Sequence, residues 1–262
     1  MIGRQLPYGH KLDRAALDIT KPERIGAALN QFQPKAVIHL AGLNLQQCAR
    51  APDLAHRINV VGAENVAREC AVRGIRLVYV STCAVFWGAL HQSFDEDVPP
   101  LPRHVYGVTK LEAERCIQSI TPKHLIVRTG WVFGGHGAHH RKFVDIILEA
   151  IDSRQPVHAH EAQTGSPTSV ADFCFHLKTL TDSTRIGVVH LVNRGVATPR
   201  DIAKFVLARY DATDLLCADP PVLLEEGRSP SEAMVSTLLH LRPWQEALRD
   251  YLEECDKRAR PT

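Results

Sequence analysis

Ile75-Arg76-Leu77-Val78-Tyr79-Val80-Ser81-Thr82 follows Gly74 and runs almost without polar interruption until it closes on two hydroxyls. A half-exposed strand would alternate apolar and polar residues. A continuous run of this length reads as a strand buried on both faces, which is the habit of parallel sheets. Ala36-Val37-Ile38-His39-Leu40-Ala41-Gly42 is a second such run, His124-Leu125-Ile126-Val127-Arg128 a third, and Val188-Val189-His190-Leu191-Val192 a late fourth. Helical patterns separate them. The first is capped at Thr20, has Pro22 and Glu23 in its opening turn and Ile25, Ala28 and Leu29 as its apolar stripe, and stops before Pro34. The second covers about 53–72, with Ala55, Ile58, Val61 and Ala67 inward. The third covers 105–120, with Glu112 and Glu114 on polar faces. Strands and helices in alternation predict a doubly wound α/β fold with a parallel sheet.

Residues 83–104 read as a long loop, since Gly88, Asp95, Asp97, Pro99, Pro100 and Pro102 punctuate them. Beyond Gly134-Gly135-His136-Gly137 the pattern is less regular, with helices expected near 142–151, 199–210 and 243–254. This divides the chain into a nucleotide-binding domain over 1–135 and a smaller substrate lobe over 136–262, with about 186–195 returning to the sheet.

The chain has 262 residues, 45% apolar and 23% charged, the mix of a globular protein rather than a disordered one. Thirty-one basic residues balance 29 acidic ones, so charge gives no reason to expect nucleic acid or an anionic membrane as a partner. No apolar run reaches a membrane-spanning length, and the opening Met1-Ile2-Gly3-Arg4-Gln5 has no signal-peptide core. Seven scattered cysteines without a Cys-x-x-Cys pair fit reduced, structural thiols. A cytoplasmic enzyme or binding protein is the expectation.

Tyr106 and Lys110 stand four apart and share one face of the expected helix. An ammonium beside a phenol favours the phenolate and would make Tyr106 a usable acid-base group. Ser81-Thr82 ends a strand where ligands bind in open α/β sheets, and a hydroxyl there can donate to a carbonyl oxygen gaining charge. Cys83 has no neighbour in sequence that would lower its pKa, and it reads as a packing residue. His136, His139 and His140, and separately His158 and His160, have ligand-like spacing, but without further converging ligands no metal site is assigned. Arg128 pairs either with a buried carboxylate or with a substrate phosphate.

Five blocks occur in one order: Leu17-Asp18-Ile19-Thr20-Lys21-Pro22; Ala36 to Ala41; Val80-Ser81-Thr82-Cys83-Ala84-Val85-Phe86; Tyr106-Gly107-Val108-Thr109-Lys110-Leu111-Glu112-Ala113-Glu114; and Val127-Arg128-Thr129-Gly130-Trp131-Val132-Phe133-Gly134. Together with Leu241-Arg242-Pro243-Trp244 near the end, they resemble the extended short-chain dehydrogenase/reductases, specifically the dTDP-4-dehydrorhamnose reductase group. The resemblance covers about residues 10–255. It implies a Rossmann-like domain and an NADPH- or NADH-dependent reduction of a 4-keto nucleotide sugar. It also implies a catalytic set of Thr82, Tyr106 and Lys110, with Thr82 preferred to Ser81 because it matches the family's hydroxyl position. Thr82 and Trp131 would line the sugar site. Gly3, Asp18, Ile19, Ala41, Gly42 and Lys110 would contact the cofactor.

The sequence also departs from that pattern. The family opens with a strand and a G-x-x-G-x-x-G loop that holds the cofactor pyrophosphate; Met1-Ile2-Gly3-Arg4 resembles only its tail, with Gly3 as the last glycine. The first strand is therefore expected to be missing and cofactor binding to be weak. Cys83-Ala84 replaces the family's Asp-Tyr and removes polar contacts near the substrate. These departures sustain an alternative, a non-catalytic member acting as a regulatory or protein-binding subunit, as the regulatory subunit of methionine adenosyltransferase does on a similar scaffold. A homodimer or a protein partner is compatible with either.

Overall fold

The computed structural model describes residues 6, 8–135, 142–217 and 228–259. Its centre is a four-stranded parallel sheet in the order β1-β2-β4-β7, formed by β1 (Ala36–His39), β2 (Arg76–Thr82), β4 (His124–Thr129) and β7 (Gly187–His190). Val78 of β2 lies level with Ile38 on one side and Leu125 on the other. Val127 of β4 lies level with Val189 of β7.

Alternate residues of these strands feed two different cores. Leu77, Tyr79 and Ile126 face helices α1 (Pro22–Phe32), α4 (Gly62–Val72) and α5 (Val105–Ile120), meeting Ile25, Val66, Cys70 and Ile117. Val78, Val80, Leu125, Val127 and Val189 face the other way, onto Phe173 and Leu177 of α7 (Val170–Asp182) and onto Leu6. The sheet is thus wound on both sides, and its uninterrupted apolar strands are explained by burial on both faces. A third core lies beyond the sheet. It packs α6 (Phe143–Ser153), α8 (Pro199–Arg209) and α9 (Trp244–Ala259) around Ile147, Val206, Leu207, Trp244 and Leu248.

Local chemistry accounts for several differences from the sequence reading. Lys21, not Thr20, is the N-cap of α1, because the Thr20 hydroxyl is donated to Asp18 Oδ1 at 2.7 Å. Pro22 then occupies the first turn, and Gln33 closes the helix at φ 42° before Pro34. β1 ends at His39, short of the apolar run's end at Gly42. A short helix, α2 (Leu45–Arg50), follows, opened by a capping box between Asn44 and Gln47. The helix expected over 53–72 is α3 (Pro52–Ala55), a π-helical segment over His56–Val61, and α4.

Residues 83–104 are more ordered than a loop. A 3₁₀ turn (Cys83–Val85) is followed by β3 (Ser93–Phe94), which pairs with the distant β8 (Ala233–Met234). A second small parallel pair joins β5 (Trp131–Phe133) to β6 (Pro167–Ser169). Two- and three-residue strands carry too little pattern to be read from sequence. Among the described residues, no helix is long and apolar enough to cross a membrane.

Candidate functional site

In a parallel sheet the carboxyl ends of the strands form one rim, and β2 brings Thr82 to it as its last residue, level with Thr129 of β4. The Thr82 Oγ1 accepts the Ala84 N–H at 3.2 Å, which turns the chain into the 3₁₀ segment. Tyr106 reaches the same point from α5. His104 caps that helix, its Nδ1 accepting the Gly107 N–H at 2.9 Å. Gly107 lets the helix start approach the strand end, since a Cβ there would stand 2.1 Å from the Ala84 carbonyl oxygen. The result is that the side chains of Thr82 and Tyr106 face each other, near enough for the Thr82 hydroxyl to act on the phenol.

Lys110 lies one turn further along α5 and is buried. Its Nζ donates to the Val80 carbonyl at 2.9 Å and sits 4.0 Å above the Tyr79 ring. Burial pulls its pKa down to about 7, with Glu114 opposing. Burial pushes the Tyr106 phenol up to about 12, opposed by the nearby Thr82 hydroxyl, with Cys83, Cys48 and Glu232 adding to the rise. Lys110 and Tyr106 stand one turn apart on α5, and the Lys110 ammonium is held by the Val80 carbonyl and the Tyr79 ring.

Glu114 corrects the sequence reading. It was expected on a polar face and is buried, because it is the counter-ion of Arg128: Nη2 to Oε2 is 2.7 Å and Nε to Oε1 is 3.1 Å. Ser81 donates to the same carboxylate at 2.5 Å. Arg128 therefore takes the buried-carboxylate alternative. Through this cluster α5, β2 and β4 are fastened directly behind Thr82.

Trp131 opens β5, and its indole packs so closely on Gly165 that a Cβ there would stand 2.1 Å away. Its Nε1 donates to Glu232 Oε2 at 3.4 Å. The Cys83 thiol donates to the same oxygen at 3.5 Å, and burial beside that carboxylate holds the thiol well above its usual pKa. His104 Nε2 is 3.8 Å from Glu232 Oε1, and the His104 ring stands nearly parallel to Tyr106 with centroids 6.3 Å apart. Sequence reasoning missed both His104 and Glu232. A cap-type position just before the helix was a signal for the first; nothing local marked the second.

Asp18 accepts from the Thr20 N–H at 3.0 Å as well as from its hydroxyl, and these bonds hold its carboxyl below the usual range. Ile19 packs on Gly62, where a Cβ would stand 2.7 Å from its Cδ1. Ala41 and Gly42 are exposed beyond the end of β1. A Cβ on Gly42 would stand 3.1 Å from Asn59 Oδ1, the atom that accepts the Leu43 N–H at 2.7 Å. Ile19 and Gly42 therefore both rest on the stretch from Asn59 to Gly62. Gly3 and the histidines His136, His139 and His140 lie outside the described residues.

Beside Trp131 opens a cavity of about 450 Å³, lined by Phe143 and Ile202 on its apolar side and by Lys142, His158, His160 and Arg228 on its basic side. The His160 Nδ1 is buried without a hydrogen-bond partner. A basic, half-apolar cavity is suited to a ligand with an anionic part, and Trp131 links it to Glu232 and so to the rim.

Known proteins are similar to this chain. The spore coat polysaccharide biosynthesis protein SpsK of Bacillus subtilis is 30% identical over 254 residues, covering 93% of this chain and 87% of that protein. The dTDP-4-dehydrorhamnose reductase of Mycolicibacterium smegmatis is 32% identical over 218 residues, 76% of this chain and 64% of that one. The crystal structure of dTDP-4-dehydrorhamnose reductase from Bacillus anthracis in complex with NADP superposes with a TM-score of 0.87 at 28% identity, covering 97% of this chain and 95% of that chain. The profile of the RmlD substrate binding domain matches residues 8–257. That span takes in all five sequence blocks, both faces of the sheet and the third core, and the chain belongs to the RmlD substrate binding domain family.

Proposed function

We propose that this chain is an NAD(P)H-dependent reductase of a 4-keto nucleotide sugar. The observation that carries the reading is the meeting of Thr82 and Tyr106 at the rim of the parallel sheet, with Trp131 joining Glu232 beside them to a basic cavity. The related B. anthracis reductase binds NADP, and related enzymes act on dTDP-4-keto sugars. The residues present fit the cofactor. Gly42 leaves open a space that a Cβ would close against Asn59, the Ala41–Gly42 backbone is exposed at the end of β1, and Lys110 and Tyr106 lie further along the same rim. When bound, the nicotinamide supplies a hydride to the carbonyl carbon.

The chain's own residues would do the rest. The Thr82 hydroxyl holds the carbonyl oxygen by a hydrogen bond, and Tyr106 gives that oxygen its proton. A phenol held up to about 12 is fully protonated at neutral pH, as a proton donor for reduction must be. Lys142 and Arg228 supply positive charge for the diphosphate, and Trp131 walls the sugar. The test is NADPH oxidation in the presence of dTDP-4-dehydrorhamnose, with NADPH binding titrated separately. Turnover dependent on the sugar nucleotide is expected; absence of both turnover and NADPH binding would overturn the reading.

One observation favours the second reading, a regulatory or protein-binding subunit. The Lys110 Nζ donates to the Val80 carbonyl at 2.9 Å, a structural use that a non-catalytic scaffold would also have. Under that reading the titration shows no NADPH binding at micromolar concentration.

A further inference from the structure

Glu232 is largely buried, with 12% of its side chain exposed, yet its carboxylate has only weak donors. These are a thiol at 3.5 Å, an indole N–H at 3.4 Å and an imidazole at 3.8 Å. Among the described residues, no lysine or arginine pairs with it. A carboxylate removed from water ordinarily takes short, charge-assisted hydrogen bonds. The neighbours of this one are the very side chains that frame the rim: Cys83 follows Thr82, Trp131 walls the cavity, and His104 stacks along Tyr106. The backbone holds it there, because the Glu232 N–H donates to Thr164 at 3.0 Å immediately before β8 begins.

We infer that Glu232 is the specificity-determining residue of this site, selecting a sugar that presents a hydrogen-bond donor on the carbon next to the reacting carbonyl. The inference rests on the reductase reading. In a 4-keto-6-deoxy sugar the two neighbours of the carbonyl are C5, which bears a methyl group, and C3. Only the C3 substituent can donate. With the carbonyl oxygen held between Thr82 and Tyr106, the C3 group is the one that meets the carboxylate. A hydroxyl or an ammonium at C3 satisfies the same acceptor, and the ammonium adds charge pairing.

The experiment compares dTDP-4-dehydrorhamnose with its 3-deoxy and 3-amino-3-deoxy analogues as substrates of the whole chain. Loss of a donor opposite a buried acceptor leaves that acceptor unpaired, so wild type should prefer the hydroxyl probe over the 3-deoxy probe at least tenfold in kcat/KM. Glu232→Leu should bring the two within twofold. Glu232→Gln, which keeps an acceptor but no charge, should retain a preference for the hydroxyl and lose any advantage of the amino probe. A purely structural role would lower activity on all three probes alike and leave the ratios unchanged, which would overturn the inference. Binding is measured in parallel by calorimetry on wild type with dTDP-rhamnose and its 3-deoxy analogue. At least tenfold weaker binding of the latter is expected, and equal binding would also overturn the inference. If wild type turns over no probe, the reductase reading fails, while the calorimetric pair still decides the role of Glu232.

Discussion

Tyr106 and Lys110 are each changed by where the fold buries them. Replacing Tyr106 with Phe removes one hydroxyl and little volume, so unfolding free energy should change by no more than about 1 kcal/mol. Under the proposed reaction, carbonyl reduction should fall by roughly 10²–10⁴-fold, because the proton donor is gone. Steady-state rates and thermal unfolding of the same preparation check both, and unchanged turnover would remove Tyr106 from its role. Lys110 makes a pH-dependent prediction. Its folded-state pKa, near 7, lies below the ordinary 10.5, so its charged form is disfavoured by folding. Between those values the unfolded chain carries the extra proton, and stability therefore rises with pH. Lys110→Met lacks this dependence. From pH 7 to 9.5 the wild type should gain on the variant by on the order of a few kcal/mol in urea titrations. A flat difference would mean that the ammonium is better solvated than its burial implies.

At the scale of elements, α5 is fixed to the sheet by Glu114, Ser81 and Arg128. Glu114→Gln leaves Arg128 buried without its counter-charge and should cost roughly 3–5 kcal/mol, whereas Glu114→Leu with Arg128→Met should recover part of that loss. Denaturant titration of the three proteins checks the order. This cluster also shows what the sequence could and could not convey. The long parallel strands and α5 were legible because burial on both faces, or a 3.6-residue period, is written into consecutive residues. Glu114 was misread because a charged residue on a helix reads as solvent-facing unless its partner is known, and Arg128 lies on a different strand. Thr82, Tyr106 and Trp131 were legible through their motif blocks. Glu232 was not, since what brings it to the rim is a two-residue strand whose partner, β3, is far away in the chain. α7 was missed although Val170, Phe173, Cys174, Leu177 and Leu180 lie at helical spacing and Ser169 accepts the Asp172 N–H as its cap.

At the scale of the whole molecule, the chain does not finish one part before starting the next. The sheet core that contains Val78 and Val127 is completed by Phe173, Leu177 and Val189, while β3 waits for β8. Arg242, in turn, reaches from just before α9 to Asp172 on α7, at 2.8 Å. A break in the exposed stretch 154–156 would therefore separate residues that share a core, without separating two self-sufficient units. Produced singly, fragments 1–154 and 155–262 should each show little cooperative unfolding. Produced together, they should reassemble into one particle that melts in a single transition, and gel filtration with calorimetry distinguishes that result from two independent folders. A nick by a protease at this point would consequently be invisible until denaturant is added. The interleaving turns a covalent chain into something close to an obligate heterodimer whose two partners happen to be joined.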